Sequence, residues 1–571
     1  MFERLFKLNF TRFKYIFNFY QKNKLLFWLI IIAFILYSLI SFPSGRFYCY
    51  QDKCGLYFWG AHDHDGIWHL AIIETAFKSF PFRHPVYSGA NLSGYNFFLD
   101  LIINLFKQIG INSLDSYFRI FPFLWFVFYT FTTLKLAEKL SNKYIFKLFL
   151  LFFNYFGVSL GVFLSLYHDK TIFNSASKLA MQPLLSPVNL QFCLSLIFIN
   201  LILINFFNKN TVKKYLLYSL YLFFNFGLKF YGGIVSLFLV ILLVIIEKVD
   251  LLKKIKGLFL IFLFILISIL FFYNPFQSIK TGFPLILSPF SQVNYLIEKP
   301  DLVYLPKIVN AIYFLRQYGY GPRLILYEFL LILLFFILHY GIRIFGFFYY
   351  FYYLLKVKKI DFYFISFLTI IFSSLLTIFF VQKGEWWNTI QFTYYGLFLA
   401  NILIAKFISE LNIKNIFIKL IVILIILINI PENLDIIKIF NPFKSSNLIN
   451  NNELNALKFL QNQPDGVVFS LDKASGYQNI LMNSSYIPAF TGKQIFIADI
   501  AQLKITGLTY IERLNKILRN DCNIFNENIK YVYEKKNNQF MNNFKNCNIK
   551  LLLLYENDEI IIYKVLINSK I

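Results

Sequence analysis

Neither a Gly-x-x-x-x-Gly-Lys-Ser/Thr string nor a His-Glu-x-x-His string occurs in the sequence, so P-loop ATPases and zincin proteases drop out of the favoured activities. Cysteine is scarce, and its five residues have no metal-finger spacing. Solenoid-like repeats are absent, and so is the polar–apolar alternation of a β-barrel. Acid is in short supply as well, with 30 Asp and Glu against 55 Lys and Arg, a formal net charge of +25. On a soluble chain that excess would point to nucleic acid. Here most basic residues sit in short linkers beside apolar runs. They read as topogenic charge facing the cytoplasm, and no nucleic-acid partner is expected.

What the chain does have is apolar bulk. Hydrophobic residues make up 58% of it and aromatics 21%, more than a soluble core can hide. The apolar residues come in unbroken runs of about 17–23, the helix length that crosses about 30 Å of hydrocarbon. In lipid every backbone N–H and C=O must be bonded within its own segment. The expected fold is an all-α polytopic transmembrane bundle of about 11–13 helices, with a small α/β extracytoplasmic domain at the C-terminus.

The topology follows from charge. A basic stretch with Arg4, Lys7, Arg12, Lys14, Lys22 and Lys24 precedes the run Leu25–Ser41. Residues 1–24 are therefore placed in the cytoplasm. The run itself reads as an uncleaved anchor, because Ser41-Phe-Pro-Ser44 is a poor signal-peptidase site. Residues 25–430 form the transmembrane domain, with a first outside loop at 42–119 and a second large one at 274–323. The further spans expected are Ile120–Leu136, Tyr144–Leu166, Leu190–Phe207, Tyr215–Leu228, Phe230–Ile246, Leu258–Tyr273, Leu324–Tyr340, Phe362–Val381, Ile390–Ile408 and Ile416–Ile430. The linkers placed inside, such as Lys209-Asn-Thr-Val-Lys-Lys214 and Lys406 to Lys414, are basic. The run Ile344–Leu355, flanked by Arg343 and Lys356, is expected to stay on the cytoplasmic side. Tyr95–Lys107, which carries Asp100 and Asn104, reads as an interfacial helix. Tyr215–Leu228 runs into Lys229, Gly232 and Gly233 and reads as a broken helix lining a cavity.

An odd number of spans puts residues 431–571 outside. There Glu453–Gln461 and Tyr510–Leu518 read as helices, Gly466–Leu471 as a strand, and Lys550–Tyr555 with Glu559–Val565 as a hairpin. Cys49, Cys54, Cys522 and Cys547 all fall outside, where Cys49–Cys54 and Cys522–Cys547 disulfides are the alternative to free thiols.

The chemistry-bearing residues gather in the first outside loop. Gly60-Ala-His-Asp-His-Asp-Gly-Ile-Trp-His69 places Asp63 and Asp65 one residue apart, and four of the six histidines lie between His62 and His84. A carboxylate pair at the outer surface can hold a divalent cation against a phosphate, or one member can take a proton from an acceptor. A solvated polar turn is the plain alternative. Trp68, Ile72, Ile73 and Phe77 recur at helical spacing, so Ile67–Phe80 is expected to lie flat on the membrane and hold the pair at the water–lipid boundary.

At this point the sequence resembles the GT-C superfamily of polytopic glycosyltransferases. Asp63-His-Asp65 matches that family's acidic motif in type and position. Phe80-Pro-Phe-Arg-His-Pro-Val-Tyr-Ser-Gly89 and Leu92-Ser-Gly-Tyr95 resemble the stretch that follows it in bacterial members of uncharacterised specificity. The resemblance implies an inverting displacement on a polyprenyl-phosphate-linked sugar, with Asp65 as base and Asp63 as metal ligand or second acid. Mg2+ or Mn2+ would be the cation. It also implies cationic and polar partners for the donor, for which the candidates are His69, Arg83, His84, Lys170, Lys229, Arg316, Arg323, Lys383 and Glu385. Membrane lipids are the expected surroundings, and the acceptor is left open. The acceptor-sequon motif of oligosaccharyltransferases finds no clear match, which argues against N-glycosylation. Two other readings remain open: a lipid or polysaccharide transporter or flippase, and a non-catalytic assembly protein. Trp386 and Trp387 read as interface anchors.

Overall fold

Every expected span is helical in the computed structural model of the protein, which describes residues 21, 23–278, 285–358, 360–412, 414–444, 446–471 and 485–566. The basic residues Arg4, Lys7, Arg12, Lys14 and Lys22 lie outside that set. Helix α1 (Lys24–Ser41) turns Leu25, Trp28, Ile32 and Ile35 outward and buries Ala33, Tyr37 and Ile40. Such an outer face suits lipid and not water. The first loop then forms the hairpin β1 (Arg46–Tyr50) and β2 (Lys53–Phe58), closed by the Cys49–Cys54 disulfide, followed by α2 (Asp65–Thr75) and α3 (Phe98–Gln108). Next come α4 (Phe121–Leu140), α5 (Tyr144–Phe156), α6 (Gly161–His168), α7 (Leu190–Asn205), α8 (Thr211–Leu228), α9 (Phe230–Ile246) and α10 (Leu251–Tyr273). The second loop carries β3 (Leu285–Leu287), α11 (Ser291–Glu298) and α12 (Pro306–Gln317). The bundle resumes with α13 (Pro322–Tyr340), α14 (Arg343–Val357), α15 (Phe362–Phe379), the short β4 (Phe380–Gln382), α16 (Ile390–Glu410), α17 (Ile416–Ile428) and α18 (Ile430–Ile439).

This is a multi-pass membrane architecture. Among the described residues seven helices are long and apolar enough to cross a bilayer, or eight if α5 and α6, bent by 45°, count as one span. Helices α7 and α9 are apolar but shorter. One end of the bundle gathers the basic linkers, tied by Lys143 to Glu410 at 2.7 Å and Lys214 to Glu247 at 2.5 Å.

The run beginning at Ile344 is not free of the bundle. Helix α14 packs along α16 in parallel, with Gly346 against Leu403 and Ile404 and Tyr349 stacked near Phe407. A Cβ on Gly346 would come within 2.3 Å of the Ile404 backbone, so the two helices meet at van der Waals contact. Nor is Tyr215–Leu228 broken: α8 is continuous to Leu228 and turns back into α9 through the single extended residue Lys229. Gly232 and Gly233 make that tight turn fit, because Cβ atoms there would meet Tyr395 Oη and the Phe226 ring at 2.5 Å.

The real break lies between α5 and α6. Its freed backbone groups are bonded by side chains from α18, from the residue before it and from α14, as membrane interiors demand. Asn429 accepts from Val158 N at 3.0 Å, Glu432 from Ser159 N at 3.1 Å, and Arg343 donates to Val158 O at 3.0 Å. The string Gly157-Val-Ser-Leu-Gly161 does have the Gly-x-Ser-x-Gly spacing of a hydrolase elbow. Ser159 is fully buried, however, and its hydroxyl donates to Glu432 at 2.8 Å, so it braces the break.

After α18 the chain makes β5 (Asn447–Asn450), α19 (Asn451–Gln461), β6 (Val467–Phe469), α20 (Tyr486–Thr491), α21 (Ile500–Ile505), α22 (Ile511–Leu518), β7 (Ile529–Lys535), β8 (Lys550–Glu556) and β9 (Ile560–Leu566). Four strands form a sheet in the order β6-β7-β9-β8, with β6 parallel to β7 and the other pairs antiparallel. The sequence reading missed β7, although Tyr531, Val532 and Tyr533 are all buried in it. A strand covered on both faces loses the alternation that would reveal it. The Cys522–Cys547 disulfide closes the segment around β7.

This C-terminal region is sewn to the first loop. Strand β5 pairs with β2. Ile495 N donates to Pro85 O and Ala498 N to Val86 O, both at 3.0 Å, and Tyr87 pairs antiparallel with Ile497. Arg513 lies 4.0 Å over the Tyr87 ring. As a result α2 does not lie on the membrane. Gly66 through Ile73 are buried without interruption, and Thr75 donates to Pro488 O in α20 at 3.2 Å. The C-terminal region covers the face that the helical spacing had assigned to lipid.

Candidate active site

Asp65 is the first residue of α2, where a carboxylate favours the helix N-terminus. Half of its side-chain surface is open, in contrast to the buried helix behind it. His64 bridges it to the C-terminal region: its Nδ1 lies 3.2 Å from Asp65 Oδ1 and its Nε2 lies 3.3 Å from Asp499 Oδ1. Asp499 is fully buried, accepts from Ser485 Oγ at 2.6 Å and caps α21 through Gln502 N at 3.3 Å.

The electrostatics follow from these contacts. At His64 burial disfavours charge, but the bonds and charges of Asp499 and Asp65 prevail and push the imidazole up to about 11. At Asp65 burial alone would raise the carboxyl. The His64 bond and charge, helped by His69 and Lys229, outweigh it and hold Asp65 below the ordinary carboxylate range. Asp63 behaves oppositely: burial raises it, against a hydrogen bond donated by Asn447 Nδ2. The two adjacent acids are thus pushed apart in character by their surroundings.

One turn along α2, the His69 ring faces Asp100 of α3, with Nδ1 3.0 Å from Asp100 Oδ2. Gln191 Nε2 stands 2.8 Å from the same nitrogen, and Tyr95 Oη stands 3.3 Å from Nε2. Asp100 is fully buried, and burial raises it against His69, Gln191 and the charge of Lys229. Lys229, in the α8–α9 turn, acts electrostatically on both Asp65 and Asp100. Among the described residues its ammonium forms no hydrogen bond or ion pair. Site and turn lie at the end of the bundle opposite the basic linkers.

The other candidates are placed as follows. Arg83 pairs with Asp465 at 2.9 Å, and His84, fully buried, bonds Thr506 Oγ1 at 3.2 Å. Lys170 donates to Tyr167 O at 2.7 Å and Arg316 to Glu328 at 3.1 Å, while Arg323 is exposed at the start of α13. None of these five is bonded to the Asp65 cluster. Lys383 is exposed and Glu385 half-buried. They flank Gly384, where a Cβ would come within 2.7 Å of Lys504 O, so that loop abuts α21. Trp386 and Trp387 both pack edgewise or tilted on Tyr295 at 5.0 Å, more a clasp for α11 than lipid anchors. Asp499, Gln191 and Tyr95 were missed. Asp499 lies 435 positions from His64, and no local pattern signals such a pair. Among the described residues no group of three or more His, Cys, Asp or Glu is arranged around a metal ion.

His62 and His84 carry a pH signature. Burial pushes His84 down to about 3 and His62 down to about 4, the latter against the Pro187 backbone and Asp65. An unfolded histidine titrates near about 6.5. Between that value and about 4 the unfolded chain binds protons that these rings refuse, so stability falls as pH falls. His64 offsets only part of this, between pH 7.5 and about 6.5, since below about 6.5 it is protonated in both states. Thermal unfolding of the detergent-solubilised protein is expected at lower temperature at pH 5 than at pH 7.5. His84→Gln is expected to shrink the difference.

In overall fold the chain is similar to solved oligosaccharyltransferase structures. It is similar to the crystal structure of the Archaeoglobus fulgidus oligosaccharyltransferase in the apo form, with TM-score 0.50, 11% identity, and 89% of this chain and 69% of that one covered. The archaeal oligosaccharyltransferase AglB from the same organism, in complex with an inhibitory peptide and a dolichol-phosphate, matches with TM-score 0.46, 12% identity and coverages of 90% and 70%. A complex of the Archaeoglobus fulgidus enzyme with Zn and sulfate matches with TM-score 0.47, 13% identity and coverages of 89% and 68%. No family model and no curated protein matches the sequence. At these identities the likeness is one of fold, and function has to be argued from the site.

Proposed function

We propose that the protein is an inverting glycosyltransferase. It moves a sugar from a polyprenyl-phosphate-type lipid donor to an acceptor on the outer face of the membrane. The observation that carries this reading is Asp65: a half-open, ionised carboxylate on a fixed helix start, with the Lys229 charge acting on it from the α8–α9 turn. In the displacement, the acceptor oxygen or nitrogen bonds to the anomeric carbon as the bond from that carbon to the phosphate oxygen breaks. The bonding pair leaves with the phosphate, and the acceptor proton passes to Asp65. Lys229 stabilises the charge that grows on the leaving phosphate.

In this reading the N-terminus is cytoplasmic and the 431–571 region extracytoplasmic, which the basic linkers at the other end of the bundle support. A divalent cation, Mg2+ or Mn2+, would be held by Asp65 with Asp63 beside it, and would supply charge neutralisation to the phosphate. Since three protein donors do not converge there among the described residues, donor phosphate oxygens would complete the shell. His69, Lys383 and Glu385 remain proposed contacts to donor or acceptor. The test is a deletion strain: mass spectrometry should find a lipid-linked sugar accumulating, cleared by the wild-type chain and not by Asp65→Asn. No accumulation, or clearance by the Asp65→Asn chain, would end the reading.

A further inference from the structure

The Asp65 side chain is steered from the far end of the sequence. His64 lies between two carboxylates, with each ring nitrogen within 3.3 Å of an oxygen. The ring thus spans the two acids, one nitrogen facing each, as a two-ended clamp. Its outer anchor is rigid. Asp499 Oδ2 accepts from Ser485, Oδ1 caps α21, and the residue is fully buried. Its backbone sits at φ 48°, a conformation that non-glycine residues adopt rarely and at a cost. The strand before it is bonded to Pro85–Ser88, in the same loop that carries Asp65. On the inner side, Asp65 has no bonded partner but His64 among the described residues, and half its surface is open.

We propose that Asp499 is a positioning residue: acting through His64, it orients the Asp65 carboxylate toward the reacting centre. The C-terminal region then contributes to chemistry without touching the sugar. This rests on the transferase reading, and the experiment separates the two. Purified full-length variants are assayed with the lipid-linked sugar fraction extracted from the deletion strain. Asp499→Asn preserves the cap, because the amide oxygen still accepts from Gln502 N while its NH2 can donate to Ser485 Oγ, but it weakens the anchor on His64. It should lower kcat by about 10²-fold, the typical cost of a small misplacement, with donor KM unchanged and thermal unfolding at a lower temperature because the buried His64–Asp499 pair is lost. Asp499→Glu, which keeps the charge, should recover part of the loss.

The decisive measurement is a double-mutant cycle with His64→Ala. If Asp499 acts through the ring, Asp499→Asn costs nothing further once the ring is gone. If the full loss persists in the His64→Ala background, or if Asp499→Asn leaves kcat intact while Asp65→Asn abolishes turnover, the positioning role is wrong and the transferase reading stands. Should Asp65→Asn itself retain turnover, it is the transferase reading that fails.

Discussion

Asp65→Asn is expected to lower sugar transfer by about 10²–10⁴-fold, the range a positioned general base contributes, while the chain folds and inserts as before. The substitution keeps the size of the side chain and its place at the start of α2, where Asn also suits a helix N-terminus. It removes a half-open carboxylate of the site and leaves the His64–Asp499 pair in place. Donor binding should change little, so the loss should fall on kcat. Asp63→Asn should be far milder. Asp63 already accepts from Asn447, and burial raises it where Asp65 is lowered. The comparison is made on purified chains with extracted lipid-linked sugar. Equal losses at both positions would mean that Asp63 holds the proposed cation as firmly as Asp65 does.

Lys229→Met carries the second large effect. Lys229 occupies the extended residue between α8 and α9, where Met fits by volume and flexibility. The packing of the turn rests on Gly232 and Gly233 and should survive. What disappears is a cation buried beside two carboxylates. Removing one electrostatic stabiliser of a developing anion costs about 10²–10³-fold in kcat, and that is the expected drop. Lys229→Arg should restore part of it, since the charge returns on a bulkier head. The substitution also leaves Asp100 without the Lys229 charge, so Asp100 should become harder to ionise. If Lys229→Met left turnover intact but blocked movement of lipid across the membrane, a transporter would be the better description.

Much of this was legible beforehand. Runs of about 20 apolar residues become helices because lipid permits little else, and the basic linkers fix which helix ends lie together. Asp63-His-Asp65 marked the candidate site in the sequence. The readings that failed share one cause. Helix α2 was taken for a membrane-surface helix because Trp68, Ile72 and Ile73 share a face, but α20 covers it from across the chain. The buried strand β7 hid for the same reason. Arg83 and His84 looked like site residues by proximity in sequence, and they instead fasten the loop to Asp465 and Thr506. The Asp499 contact to His64 spans 435 positions, a separation at which periodicity carries no information.

The seam between Pro85–Ser88 and Ile495–Ala498 also orders events in time. A chain emerging from the ribosome delivers Asp65 and Lys229 hundreds of residues before the strand that fastens the loop around them. Until that segment arrives, the Pro85 and Val86 carbonyls lack their partners and His64 has no outer anchor. The nascent protein therefore carries its reactive acid through most of its insertion into the bilayer in an unfinished setting. The setting of Asp65 is completed only when Ile495–Ala498 folds back onto the first loop.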